Sequence, residues 1–496
     1  MMPKFVVLWT DAVLWGAWAA TLAYAWHVRR QPHLSASWRK VWRDGAAMSA
    51  TVVLAFFMVV TLLDSLHFRR ALPPAPGQAA GQVFHATRTE SLLDVLLAGP
   101  ASQQEATYSR PLSYQGFTRV SEEVAGEVKR VHPRLTYGGA HLRDPERQWL
   151  GDLAWRGGLG LAAGALAGAL LLLAALPLAR RQDAALRGVT TARALRRLLA
   201  DRCELPWRAG WITAALLCLL AGLAVGLGSG YHVLGTDNLG DDVLYQALKS
   251  VRTAFVIGTM ASVATLPFAI ALGILAGWYR GWVDELIQYL YTVLSSVPNV
   301  LLIAACVLMV QVFLDKHPEL FETGAERADL KIFMLCLILG LTGWAGLCRL
   351  LRGETLKLRE LDYVQAATAF GVGSLRIMHR HILPNVVHLV LINTVLDFSA
   401  LILYEAVLSY VGVGVDPSTN SFGGMINMGR DEMSRDPLVW WSFSAAFVFM
   451  VALVLAANLF ADGVRDAFDP RARNLRPRLG PGRGGARRAG VKGEAA

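Results

Sequence analysis

Nine long apolar runs recur along this chain of 496 residues. Crossing roughly 30 Å of hydrocarbon takes about 20 residues of helix, which also satisfies its own backbone polar groups in lipid. Charged residues make up only 17% of the sequence, below the roughly 25% that is usual in soluble domains. The sequence therefore predicts an all-α membrane protein with about nine transmembrane helices. The runs have their cores at about residues 5–26, 46–66, 152–179, 210–229, 254–278, 286–312, 331–349, 386–412 and 439–462.

The first run differs from the others because Asp11 lies inside it. Only Lys4 precedes its apolar stretch, and Arg29 and Arg30 follow it. This charge order is the reverse of that in a cleaved signal peptide. We therefore predict an uncleaved anchor whose N-terminus lies outside the cytoplasm.

Basic residues cluster in three polar segments, and Lys and Arg are enriched in cytoplasmic loops. Segments 29–43, 180–208 and 471–492 are basic, whereas the loops around 315–329 and 416–436 are richer in acids. These assignments agree with a count of alternating spans. They predict a multi-pass protein of the cell inner (plasma) membrane, with a cytoplasmic C-terminus and with residues 67–150 on the periplasmic side.

Two polar segments stand apart from the membrane runs. Residues 67–150 open with a Pro- and Gly-rich linker at 73–77 and then show helical periodicity at about 91–97 and 120–131. A small globular insert and a partly ordered loop both fit this composition. The tail 471–496 is rich in Gly, Arg and Pro, which predicts a disordered end. Attraction of anionic membrane lipid is the alternative interpretation of its charge.

The chain lacks the motifs of common nucleotide-dependent and hydrolytic enzymes. No Lys directly follows a Gly, so the GxxxxGK[ST] phosphate-binding loop is absent, and neither HExxH nor GxSxG occurs. A GxGxxG string at 480–485 lies in the polar tail with no predicted strand before it. The five cysteines show no CxxC or metal-ligand spacing, which favours packing roles. We therefore predict no catalytic, cofactor-binding or metal-binding residues, no enzyme activity and no nucleic-acid partner.

One polar loop, at residues 349–385, has the pattern of two short helices around a glycine turn. The first helix is predicted to stop at Gly371, which suits a left-handed cap position. Ser374 is predicted to cap the second helix, which Pro384 interrupts near the membrane. Small side chains just before Gly371 leave a helix face on which another protein can approach the backbone closely. Such a face suits docking, and an amphipathic linker lying on the lipid surface is the alternative.

The same loop resembles the EAA loop of ABC importer permeases. The positions that match in spacing are Gln365, Ala366, Ala367, Gly371, Leu383 and Pro384. The resemblance implies that this ATPase-coupling loop forms a helix held in a groove of a separate ATPase subunit. Two positions depart from the family, because Gln365 replaces its usual Glu and His381 its usual Ile. The ending 381–385 (HILPN) resembles the dipeptide branch of the family.

The resemblance to dipeptide and oligopeptide permeases continues from about residue 210 to 474. It includes residues 232–237 (HVLGTD), 405–406 (EA), 412–415 (GVGV) and 462–466 (DGVRD). It implies a six-helix permease core, a second permease subunit, ABC ATPase subunits, a periplasmic solute-binding protein and contact with membrane lipid. The resulting domains are a two-helix membrane region at 1–66, a periplasmic insert at 67–150, an extra transmembrane helix with a basic cytoplasmic loop at 151–209, the permease core at 210–470 and the basic cytoplasmic tail at 471–496.

Three polar residues, Asn393, Asp397 and Glu405, lie within the eighth run. A carboxylate in lipid costs much free energy unless it faces protein or water, so all three are expected to face the bundle interior. Asp397 and Glu405 are about two turns apart and therefore lie roughly on one helix face. Two roles stay open for them, which are lining a translocation path and joining helices.

Two other functions fit the membrane pattern. An ion-driven secondary transporter needs organised ionisable groups and often repeated halves, whereas Asp11, Asp397 and Glu405 are few and the sequence shows no repeat. A membrane-anchored sensor with a ligand-binding periplasmic segment would have no use for the small-residue loop at 349–385. The residues therefore favour the permease subunit of an ATP-driven importer of dipeptides, oligopeptides or similar solutes.

Overall fold

A computed structural model describes residues 4–71, 85–86, 89–124, 127–183, 186, 189–200, 203–321 and 323–468. The linker at 73–77, the GxGxxG string and the basic tail at 471–496 lie outside the described residues. The helices are α1 (Trp9–Arg30), α2 (Pro32–Val41), α3 (Gly45–Asp64), α4 (Leu92–Leu96), α5 (Ala98–Ser102), α6 (Pro145–Gln182), α7 (Thr191–Leu199), α8 (Trp207–Gly228), α9 (Val243–Tyr279), α10 (Gly281–Ser296), α11 (Asn299–Lys316), α12 (Gly324–Gly343), α13 (Ala345–Arg359), α14 (Asp362–Ala369), α15 (Ser374–Ile377), α16 (Leu383–Tyr410), α17 (Phe422–Glu432) and α18 (Trp441–Phe468). The strands are β1 (Lys4–Val6), β2 (His67–Arg69), β3 (Glu90–Ser91), β4 (Val120–Val124) and β5 (Glu127–Val131).

Helices long and apolar enough to cross a membrane account for most of this structure. Within the described ranges there are seven of them, or eight when the bent pair α12 and α13 is counted as one span. Their residues coincide with eight of the nine predicted runs, so the all-α membrane fold is confirmed. The seven are α3, α6, α8, α9, α11, the continuous helix that includes α15 and α16, and α18.

Three of the nine runs, the first, the sixth and the seventh, differ in detail from the prediction. The first run forms α1, whose 22 residues reach about 33 Å, but its Trp, Tyr and Thr residues keep it less apolar than the other spans. The sixth run is not one helix, because Val297 is extended before Pro298 and separates α10 from α11. The seventh run bends by 40° between α12 and α13.

Helix α9 is the centre of the bundle. Its 37 residues pack against α3, α12, α13, α16 and α18. Two glycines allow neighbouring helices to approach it closely. A Cβ atom added at Gly277 would lie 2.6 Å from Cβ of Thr355, and one added at Gly258 would lie 2.7 Å from the Phe398 ring. Larger side chains at these positions would push α13 and α16 away from α9.

Helices α6 and α8 form a pair whose backbones touch. A Cβ atom added at Gly164 would lie 2.5 Å from the carbonyl oxygen of Cys218, and one added at Gly222 would lie 2.4 Å from that of Gly160. Small residues four apart commonly allow such close packing of membrane helices. Helix α8 packs mainly against α6 and α3, whereas α3 packs against α9 and α18. The α6–α8 pair therefore lies on one side of α3.

The described part of the insert at 67–150 is folded. Strands β1, β2 and β3 form an antiparallel sheet, and a capping box between Ser91 and Asp94 begins α4. Helix α4 lies within the predicted helical stretch at 91–97. The predicted helix at 120–131 is wrong, because β4 and β5 pair there as antiparallel strands. Four valines in that stretch favour extended backbone.

The insert packs on the end of the bundle where α9 begins, which we call the insert end. Buried His232 is central to this contact, with Nδ1 2.8 Å from Oδ2 of Asp242 and Nε2 3.5 Å from Oε1 of Glu105. Glu105 also accepts hydrogen bonds from the backbone N–H groups of residues 136–138. Burial opposes ionisation of the Glu105 side chain, but His232 and the N–H groups lower its pKa to about 2. Burial likewise lowers the pKa of His232, but the two carboxylates raise it to about 9. A protonated imidazole between two carboxylates thus joins the insert to the core.

Candidate functional site

The glycine turn of the loop 349–385 has the predicted left-handed conformation. Gly371 has a φ of +75° and directly follows the C-cap residue of α14. Its N–H donates to the carbonyl of Thr368 at 3.0 Å, and the N–H of Val372 donates to the carbonyl of Ala367 at 3.1 Å. These are the two hydrogen bonds of a Schellman motif. Among the described residues nothing lies within 4 Å of a Cβ atom added at Gly371, so backbone conformation is what favours glycine here.

One face of α14 is buried and the opposite face is open. Val364 is fully buried, whereas Gln365 and Ala366 are exposed. After the helix ends, the side chains of Phe370 and Leu375 are 88% and 73% exposed. Exposed apolar side chains beside small residues are typical of a surface that a partner covers. Of the predicted coupling residues, Gln365 and Ala366 lie on this open face and the exposed Gly371 follows it, whereas Ala367 packs against the apolar cluster beneath the loop.

The second half of the loop departs from the prediction in two ways. Ser374 is the first residue of α15 rather than its cap, and the N-cap residue Gly373 has no side chain to donate or accept. Pro384 does not interrupt the helix, because a π-helical turn at Met378–Ile382 precedes it. The Leu-Pro pair then forms the first turn of α16, where a missing N–H removes no hydrogen bond. The span is therefore continuous from α15 to α16.

Partly buried polar contacts join the loop to the membrane helices. Arg352 of α13 forms a bidentate ion pair with Asp284 of α10, with N–O distances of 2.5 and 2.7 Å. Arg359 donates from Nη1 to the carbonyl oxygen of Trp278 in α9 at 2.6 Å. These two arginines therefore join α13, the first helix of the loop, to α10 and α9. The apolar cluster beneath the loop includes Ala276, Trp278, Val364, Ile377, Ile382 and Val386.

The three polar residues of α16 lie in two different environments. Asn393 donates from Nδ2 to Oδ2 of Asp397 at 2.7 Å, and both residues are only half-buried. Glu405 is 1% exposed and accepts a hydrogen bond from the Ser409 hydroxyl at 2.7 Å. Its carboxylate also contacts Ser421, the N-cap residue of α17. The predicted set thus consists of a half-exposed pair and a buried residue at the contact between α16 and α17.

A buried charge cluster near the insert end is absent from the sequence prediction. Arg252 of α9 has Nη2 2.6 Å from Oδ1 of Asp11 and 3.9 Å from Oδ1 of Asp329. Nδ1 of His67 lies 2.7 Å from the other Asp11 oxygen. The cluster joins α1 to α9 and α12, and it explains how Asp11 is tolerated in an apolar run. In the sequence Asp11 is the residue that indicates this cluster, because a carboxylate within the membrane needs a buried partner.

No group of three or more His, Cys, Asp or Glu side chains arranged to hold a metal ion occurs in the part of the chain that the structure describes. Cys336 and Cys348 are buried. The features with a recognisable arrangement are therefore the open face of α14, the Asn393–Asp397 pair and the insert end.

Comparison with known proteins places the chain in a family. Residues 269–474 match the family described as binding-protein-dependent transport system inner membrane component. The oligopeptide transport system permease protein of Mycobacterium tuberculosis is 34% identical over 245 residues, which are 49% of this chain and 78% of that protein.

Two further relatives come from the same group of permeases. The dipeptide transport system permease protein of Lactococcus lactis is 31% identical over 49% of this chain and 64% of its own length. The di/tripeptide transport system permease protein of Pseudomonas aeruginosa is 33% identical over 50% of this chain and 75% of its own length. The chain therefore belongs to the family of binding-protein-dependent transport system inner membrane components, among its oligopeptide and dipeptide permeases.

Proposed function

We propose that this chain is the transmembrane permease subunit of an ATP-driven ABC importer for dipeptides, oligopeptides or similar solutes. The relatives that it matches are named for transport of these solutes. In this proposal the chain itself performs no covalent chemistry. ATP hydrolysis is the task of separate subunits, and the chain converts their movement into opening and closing of a path.

The observation that carries this proposal is the open face of α14. It combines small exposed residues with Phe370 and Leu375. On its buried side Val364 belongs to the apolar cluster that also contains Ala276 and Trp278 of α9. A groove of an ATPase subunit would receive α14 and cover the two exposed apolar side chains. Closure of the ATPase would then move the loop 349–385 and α9 together, as in rigid-body switching.

Orientation follows from the placement of the loop. The loop 349–385 lies at the end of the bundle opposite the insert, which we call the loop end. An ATPase is cytoplasmic, so the loop end faces the cytoplasm and the insert end faces the periplasm. Helix α18 runs from Trp441, next to the insert residue Phe117, to the loop end. In this proposal the C-terminal end of α18 is therefore cytoplasmic, which agrees with the basic tail.

Further partners complete the transport path. A second permease subunit would face this chain across the path, and a periplasmic solute-binding protein would deliver cargo at the insert end. We assign Asn393 and Asp397 to the lining of the path because they are half-exposed and polar. We assign Glu405 to helix joining because it is buried between α16 and α17.

The proposal is tested by affinity capture of the tagged protein from mild detergent, with the co-purifying proteins identified. Gly371→Asp puts a charged side chain on the open face and strains the left-handed turn. Gly412→Asp is the matched control, since Gly412 has a φ of +84° at the insert end and equally open surroundings among the described residues.

We expect an ATPase and a second permease to co-purify with the parent chain. The Gly371→Asp variant should lose the ATPase and keep the permease, and the Gly412→Asp variant should keep both. If no ATPase co-purifies with the parent even after crosslinking, the coupling role is wrong. Uptake driven by an ion gradient would then favour a secondary transporter, and ligand binding without uptake would favour a sensor.

A further inference from the structure

A second feature of the loop end has no place in the coupling mechanism. A cavity of about 740 Å³ lies between α1, α2, α3 and the first turn of α8. Its walls are largely aromatic or apolar, and they belong to helices outside the coupling loop. The wall residues include Tyr24, Trp38, Trp42, Met48, Trp207 and Phe460.

A second cavity continues the first one along the helices. It has a volume of about 500 Å³ and lies between α3, α6 and α8. Met48 and Trp207 line both cavities, so the two adjoin, and we call them together the groove. On α3 the groove extends from Met48 to Val59, which is roughly 16 Å along the helix axis. Its direction is that of an acyl chain in a bilayer.

The opening of the groove at the loop end is basic. Arg29 and Arg39 line it, and the segment 29–44 contains five Lys and Arg residues and one acid. Nη2 of Arg39 lies 2.7 Å from Oε2 of Glu204 in an exposed ion pair. Tryptophan and tyrosine rings at the same level are typical of the interface between hydrocarbon and headgroups.

We propose that this groove binds one anionic phospholipid of the cytoplasmic leaflet. Its headgroup phosphate lies beside Arg29 and Arg39, and an acyl chain follows the apolar wall of α3 from Met48 towards Val59. The basic opening selects an anionic headgroup over a zwitterionic one, because each Lys or Arg near the surface attracts anionic lipid. The bound lipid fills the space between the α1–α2 segment and α8.

Native mass spectrometry of the delipidated full-length protein tests this proposal. The protein is titrated with phosphatidylglycerol or with phosphatidylcholine of identical acyl chains, and the retained lipids are counted. The variant Arg29→Gln with Arg39→Gln removes two charges at the groove. The variant Arg143→Gln with Arg147→Gln removes two exposed charges at the insert end and serves as the control.

We expect one retained phosphatidylglycerol, bound at least about tenfold more tightly than phosphatidylcholine. The preference should vanish in the groove variant and persist in the control. The variant Ala25→Trp, which fills the cavity wall, should reduce retention of both lipids. Equal affinity for the two lipids overturns the proposal, as does equal loss of the preference in both charge variants or undiminished retention in Ala25→Trp.

Discussion

Replacing Glu105 by glutamine tests how the insert is held to the core. The substitution keeps the size of the side chain but removes its charge next to His232, whose Nε2 lies 3.5 Å away. It also replaces one of the two oxygens that accept the backbone N–H groups of residues 136–138 with an NH₂ donor. The NH₂ group of the glutamine then faces a buried backbone N–H donor, and the His232 imidazolium keeps only the Asp242 carboxylate as a partner.

The expected loss follows from the pKa of this carboxyl. Its pKa is lowered from 4.5 to about 2 in the folded protein, a difference of about 2.5 units. At about 1.36 kcal/mol per unit, the charged form stabilises the joint by roughly 3 kcal/mol at neutral pH. A glutamine cannot supply this stabilisation. We therefore expect Glu105→Gln to make local opening of the joint about a hundredfold more frequent.

Hydrogen–deuterium exchange of the backbone amides at 136–138 measures this opening directly. Exchange should quicken about a hundredfold in Glu105→Gln, while amides in the middle of α9 keep their protection. Glu146→Gln is the matched control, because Glu146 is exposed in the first turn of α6 and should change exchange by less than about twofold. Equal exchange in Glu105→Gln and the parent would refute the reasoning.

Three further outcomes follow from the structure. The joint between insert and core should be most stable between about pH 4.5 and 6.5. The contribution of the Glu105 carboxylate is lost as pH falls from 4.5 towards 2, and that of the His232 imidazolium is lost as pH rises from 6.5 through 9. Hydrogen exchange corrected for its intrinsic pH dependence measures this. Gly164→Leu should destabilise the α6–α8 pair by roughly 1–3 kcal/mol in thermal unfolding, whereas Gly158→Leu, with open space among the described residues, should be nearly neutral. Asp11→Asn should lower the free energy of unfolding by about 3–5 kcal/mol, because it leaves the buried Arg252 poorly paired. Asp315→Asn, which removes the charge of an exposed pair with Arg327, should lower it by less than about 1 kcal/mol.

Local patterns in the sequence were sufficient for the spans and for the turn at Gly371. A run of about 20 apolar residues has few alternatives to a helix in lipid, and small helix residues before a glycine favour a left-handed cap. The same reasoning was wrong at Ser374 and Pro384, because a π-helical turn shifts the start of α16 so that Pro384 occupies its first turn. The break at Pro298 was missed although Ser295, Ser296 and Asn299 flank it, because the apolar stretches on its two sides were joined into one run.

Tertiary contacts account for what the sequence did not reveal. The stretch 120–131 has valines that fit both a helical and an alternating pattern, and only pairing of β4 with β5 selects the strands. Glu105 and His232 are far apart in the chain, so nothing local indicates their contact. The glycines of α6 do follow a small-xxx-small pattern, which is a readable signal for the close contact with α8.

Helix α9 connects the two ends at which partners are proposed to bind. At the insert end its N-cap Asp242 accepts a hydrogen bond from the N–H of Tyr245 and also contacts His232. At the loop end its Trp278 belongs to the cluster under α14. One helix of about 55 Å therefore joins the loop end to the insert end. Pro267 lies within that helix and removes one backbone hydrogen bond, so it is a position where α9 can bend. In the proposed mechanism the ATPase acts on the insert through α9, and a bend at Pro267 would change how much of its movement reaches the insert.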